Sequence, residues 1–167
     1  MDKSERPILN LPFSPLETIL DRLGLAGVLL GIAVLTATWP DLPQRVPTHF
    51  GASGAPNAWG GKTSLLIGPI VALVIYIGLT LLARYPHLYN YPKRLSADNA
   101  ERMYRLGRGL IIWLKTEIVW LFTWLSWATI NVALGHAAGL GPWPIYVALG
   151  IIYGTTTWYA IALFRTK

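Results

Sequence analysis

Leu23-Gly-Leu-Ala-Gly-Val-Leu-Leu-Gly-Ile-Ala-Val-Leu-Thr-Ala-Thr-Trp39 contains no charged side chain. Crossing the hydrocarbon core of a bilayer takes about 20 apolar residues in a helix, so this run is slightly short by itself. Upstream, Ser14-Pro15-Leu16-Glu17 reads as a helix start: a capping hydroxyl, a proline at the first helical position and a glutamate three residues after the cap. A helix that begins at Pro15 therefore enters the bilayer from its surface. Three further apolar stretches, 63–83, 110–134 and 143–164, are long enough to span. The predicted fold is an all-α integral membrane protein, a four-transmembrane-helix bundle with spans at about 23–39, 63–83, 110–134 and 143–164. Residues 1–14 form a short N-terminal segment, and 15–167 form one membrane domain.

Composition agrees with this reading. Of the 167 residues, 53% are hydrophobic and only 13% charged, against about 25% charged in a soluble domain. The mean hydropathy is +0.44. Tryptophan and tyrosine, 8 of each, suit a chain with many membrane–water interfaces. Cysteine is absent, which excludes disulfides, thiolate metal sites and a cysteine nucleophile. The net charge of +6 reads as topology rather than nucleic-acid binding, because the basic residues cluster beside the spans. Lys3, Arg6 and Arg22 precede the first span. Arg84, Lys93, Arg94, Arg102, Arg105 and Arg108 lie around the second connection, and Arg165 and Lys167 at the C-terminus. The first connection has only Arg45 and Lys62, and 135–142 has none. Positive residues stay inside, so both termini and the middle connection are expected to be cytoplasmic and the other two connections outside. A cleaved signal peptide is the competing reading of the first span. It is disfavoured by the length of the apolar run and by its ending in Trp39-Pro40 rather than a small-residue cleavage site.

Within the first connection, Pro40, Pro43, Pro47 and Pro56 oppose regular helix, and Gly51, Gly54, Gly60 and Gly61 permit tight turns. Residues 46–50 are expected to be extended and Ala55-Pro56-Asn57 to turn. A long loop with Trp, Phe and Val content is expected to be ordered and to fold back onto the outer membrane face. Its pattern, L-P-x-x-V-P-x-H-F-G-x-x-G-x-P-x-x-W-G-x-K, resembles a bacterial membrane family known as domain of unknown function 1648, related to the N-terminal part of Sdp-type immunity proteins, which protect cells from a secreted toxic peptide. Tyr85-Pro86-His87-Leu88-Tyr89-Asn90-Tyr91-Pro92 and Asn99-Ala100-Glu101-Arg102 also look like family members, so the resemblance covers roughly 23–130. It implies a bacterial inner-membrane protein and an interaction role.

Two candidate sites follow. The outer loop gathers Asp41, His49, Phe50, Asn57, Trp59 and Lys62, either as a polar interaction site or as loop scaffolding in which His49 bonds to backbone. One His and one Asp fall short of a metal ligand set. The third span carries Trp113, Glu117, Trp120, Trp124, Trp127 and Asn131 at helical spacing on one face. That stripe is either a packing seam, a lipid-facing surface, or a docking face for a partner helix, hydrophobic peptide or flat cofactor. Glu117 lies within the bilayer and needs a partner, water or a proton; Arg84 is one candidate, and Lys115 is expected to snorkel to the cytoplasmic side. Asp98 and Glu101 form a possible cap for the third helix, and Gly68-Pro69 a kink in the second. Gly27-x-x-x-Gly31 and Gly150-x-x-x-Gly154 allow close helix approach.

The expected function is a non-enzymatic membrane interaction protein, immunity-like, that recognises a hydrophobic peptide or a membrane protein, with no cofactor, no metal and no nucleic acid. The alternatives are an accessory subunit of a larger membrane complex, and a small transporter or membrane enzyme centred on Glu117 or His49.

Overall fold

A computed structural model describes residues 6–166. Lys3 and Lys167, two of the basic residues used for topology, lie outside the described residues. The elements are α1 (Pro15–Thr38), β1 (Arg45–Phe50), β2 (Pro56–Gly61), α2 (Ile67–Ala83), α3 (Ala100–Ala133) and α4 (Trp143–Arg165). Among the described residues, 4 helices are long and apolar enough to cross a membrane. The fold is the four-helix membrane bundle expected from the apolar runs.

α1 begins with a complete capping box. The Ser14 hydroxyl accepts the Glu17 N–H, and the Ser14 N–H donates to the Glu17 carboxylate. α3 is the central helix, in contact with α1, α2 and α4. Gly24, Gly27 and Gly31 let α1 approach it closely: a Cβ on Gly27 would sit 3.0 Å from Val119 Cγ1. Across this seam Thr116 donates to Leu20 O and Thr123 to Gly27 O, both at 3.0 Å. Small residues thus bring the backbones near enough for hydroxyls of α3 to bond carbonyls of α1.

Two local expectations are corrected, and a third is placed in the fold. The first connection is not merely an ordered loop: β1 and β2 pair antiparallel, so a small two-stranded sheet joins the helices. Gly68-Pro69 lies in the first turn of α2, after a 3-10 turn at Lys62–Leu66. A missing N–H costs nothing in a first turn, so the proline is tolerated where the 3-10 turn passes into the α-helix. Asp98 and Glu101 do not cap α3. Ser96 N–H donates to the Asn99 side chain, Asn99 N–H donates back to Ser96 Oγ, and Glu101 pairs with Arg105 at 2.8 Å instead.

The hairpin closes one end of the bundle. Val46 is fully buried against Leu35, Leu42, Leu65 and Ile130. Its tip reaches the α3–α4 connection, where Leu140 N–H donates to Gly54 O at 2.8 Å. At the opposite end, Arg6 donates to the carbonyls of His87 and Tyr89, and Lys93 to that of Thr166. The N-terminal segment, the α2–α3 connection and the C-terminus therefore share one end.

Candidate functional site

The outer-loop residues do not form one cluster. His49 Nδ1 lies 2.6 Å from Asn57 Oδ1, across the two strands on the exposed surface of the hairpin. Lys62 sits 4.7 Å above the Trp39 ring. Trp59 is largely exposed, Phe50 half-buried, and Asp41 exposed in the 3-10 turn that follows α1. No group of three potential metal ligands occurs among the described residues.

The third-helix stripe faces the seam with α4, which covers it only in part. α4 is the least buried of the helices, with 6% of its apolar window inside the fold. Between α3 and α4 lies a cleft of about 640 Å³ whose lining includes Trp120, Leu121, Trp124, Trp143 and Val147, with Glu117 as its one ionisable group. The helices run antiparallel, so Trp124 and Trp143 stand toward the hairpin and Glu117 at the far end. Trp113 lies beyond it, in an adjoining cavity with Thr155 and Trp158. Trp127 is exposed, and the Asn131 amide donates to Trp127 O.

Glu117 Oε1 accepts the Thr155 hydroxyl of α4 at 2.6 Å. Oε2 is buried and has no hydrogen-bond partner among the described residues. The expected Arg84 partner is not used: Arg84 lines a separate small cavity on the α1–α2 side of α3. Nor does Lys115 reach solvent. Its side chain is 1% exposed and pairs with Asp21 of α1, donates to Thr80 Oγ1 of α2 at 3.0 Å, and lies 4.7 Å over the Tyr76 ring. An ammonium so deep is stabilised only by such a complete set of partners.

Sequence reasoning missed two ion pairs between α1 and α3: Lys115–Asp21, in which the lysine is buried and the aspartate half-exposed, and the buried Arg108–Glu17 pair at 2.8 Å. Asp21 and Glu17 were legible as partners, since an intramembrane lysine demands a carboxylate at its own depth and these two acids lie one turn apart at the start of α1. Arg108 is 3% exposed and also donates to Leu11 O and Pro12 O, under the Phe13 ring. Nearby, Tyr89 and Tyr91 donate to Leu82 O and Pro86 O, and burial pushes both phenols well above the ordinary tyrosine value.

Residues 26–73 match the family described as a domain of unknown function (DUF1648). The resemblance of the loop to domain of unknown function 1648 is borne out over that stretch, which runs from α1 through the hairpin into α2. Tyr85–Pro92 and the start of α3 lie outside it, as does the cleft. An uncharacterized protein of Archaeoglobus fulgidus is 36% identical over 95 residues, which make up 50% of this chain and 52% of that one. The chain thus spans about half the length of the curated relative it matches. No solved structure matches the chain.

Proposed function

We propose that this multi-pass membrane protein is a non-enzymatic interaction protein that receives a hydrophobic peptide or protein partner from the bilayer. The observation that carries this reading is the α3–α4 cleft, a tryptophan-lined apolar recess beside a helix that the rest of the fold scarcely covers. Apolar surface facing lipid has no hydrophobic drive to close, so a recess there is filled by whatever packs better than acyl chains. The hairpin, with Trp59 and the His49–Asn57 pair exposed, offers a second contact at the membrane surface. The immunity-like form of this reading rests on the loop motif. The placement proposed is a bacterial cell membrane with both termini cytoplasmic, because the basic residues gather at the end shared by Arg6, Lys93 and Thr166.

A second reading, as an accessory subunit of a larger complex, is favoured by the outer face of α4. A Cβ at Gly150 would meet nothing within 4 Å, and Tyr146 and Tyr153 are exposed beside it.

A photo-crosslinking amino acid at Val147, in the cleft, separates these readings when compared with one at Tyr153 and one at Ile77 on α2. The interaction reading expects one defined peptide or protein adduct from position 147. An adduct from 153 alone, with stoichiometric co-purification of the same protein in mild detergent, selects the subunit reading. Lipid adducts alone at all three positions overturn both.

A further inference from the structure

Glu117 is the one ionisable side chain lining the α3–α4 cleft, among tryptophans and aliphatic residues. Its carboxylate is half satisfied: Thr155 serves Oε1, while Oε2 is buried without a partner among the described residues. A bare carboxylate oxygen in an apolar site is costly. A lipid acyl chain brings no donor, and an anionic group would be repelled. A cation with apolar flanks satisfies every feature at once: a turn of the Glu117 side chain brings the carboxylate to the cleft, where the cation donates to it, neutralises the charge and lies against indole faces. The Trp120 N–H is already committed to Leu23 O at 3.1 Å, so that indole is left to offer its ring.

We infer that the occupant of the cleft is a hydrophobic peptide segment that carries one basic side chain within its apolar stretch, and that this side chain seats on Glu117. The inference rests on the interaction reading above and specifies its partner. Glu117 lies in the first third of the expected 110–134 span, so the basic residue belongs in the matching third of the partner's span, toward the end shared by Arg6, Lys93 and Thr166. Its cost in the bilayer is relieved only by a matching acid at the same depth, which makes the pairing selective as well as attractive.

The test uses the intact protein in phosphatidylcholine vesicles with synthetic transmembrane Leu/Ala peptides that differ at one position, set in the third of the apolar stretch that matches the depth of Glu117: Lys, Gln or Glu. Each carries a dansyl label that accepts energy from the cleft tryptophans. The Lys peptide should bind about tenfold or more tighter than the Gln peptide, as a charge-assisted hydrogen bond exceeds a neutral one, and the Glu peptide weakest. Glu117→Gln should abolish the Lys advantage while leaving Gln-peptide binding in place. Because the peptide series is read on the unaltered protein, the result stands even where the variant folds poorly. Equal binding of Lys and Gln peptides would overturn the inference and leave the interaction reading intact. Binding of none of the three would overturn both.

Discussion

Arg108 of α3 grips Glu17 of α1 with two N–H groups, Nε at 2.8 Å from Oε1 and Nη2 at 3.0 Å from Oε2. The same carboxylate caps its own helix through Ser14. One side chain thus starts α1 and fastens it to the central helix. Two further guanidinium N–H groups hold the carbonyls of Leu11 and Pro12, which ties down the segment before the helix.

Removing one member of this pair should cost far more than the pair is worth. Arg108→Ala leaves Glu17 buried without its cation, a change of about 3 kcal/mol or more. Arg105→Ala breaks an exposed i,i+4 pair and should stay within about 0.5 kcal/mol. Unfolding titrations in mixed micelles measure both. Limited proteolysis should also cut the segment around Leu11 faster in Arg108→Ala, and equal cutting in both variants would show that the guanidinium does not hold it.

Gly68 marks a close approach of α2 to α3. A Cβ there would lie 2.2 Å from Ser126 Oγ, yet 3.5 Å from Ser126 Cβ. Gly68→Ala should therefore destabilise by about 1–3 kcal/mol through overpacking. Ser126→Ala removes the obstructing atom, so the double variant should recover most of the loss. A double-mutant cycle without such coupling would place the strain elsewhere.

Glycines of this chain divide by what stands opposite them. Gly54 has φ +79°, and a Cβ on it would meet Gly141 O at 2.6 Å, so Gly54→Ala should detach the hairpin from the α3–α4 connection and lower the unfolding midpoint. Gly150→Ala faces open space and gains helix propensity, about 0.5–1 kcal/mol in a soluble helix. It should be neutral or stabilising in the isolated protein. A marked loss at 150 would reveal a neighbour seated there.

Membrane orientation is directly measurable because the chain contains no cysteine. Single cysteines at Ser53, on the exposed hairpin tip, and at Arg94, on the exposed α2–α3 connection, give a clean contrast. A membrane-impermeant maleimide should label Ser53→Cys in intact cells and Arg94→Cys only after permeabilisation. The reverse pattern would invert the proposed topology.

The amino-acid sequence by itself determined that four helices cross a membrane, where the first of them starts, and that its first connection is extended and ordered. Those features rest on local physics: apolar length, a Ser-Pro-x-Glu cap, and prolines and glycines that forbid helix. Hairpin pairing was less legible, since register depends on which residues face each other. Partners at a distance were legible only as a demand for an opposite charge at matching depth. Glu117 suggested Arg84, yet α3 places the two on opposite sides, and its hydroxyl partner Thr155 comes from 38 residues away. Lys115 looked free to snorkel until α1 set Asp21 at its depth. Whether the tryptophan stripe is seam or surface was decided only by how little α4 covers it. Helical spacing fixes which side chains share a face, but only packing decides what that face meets.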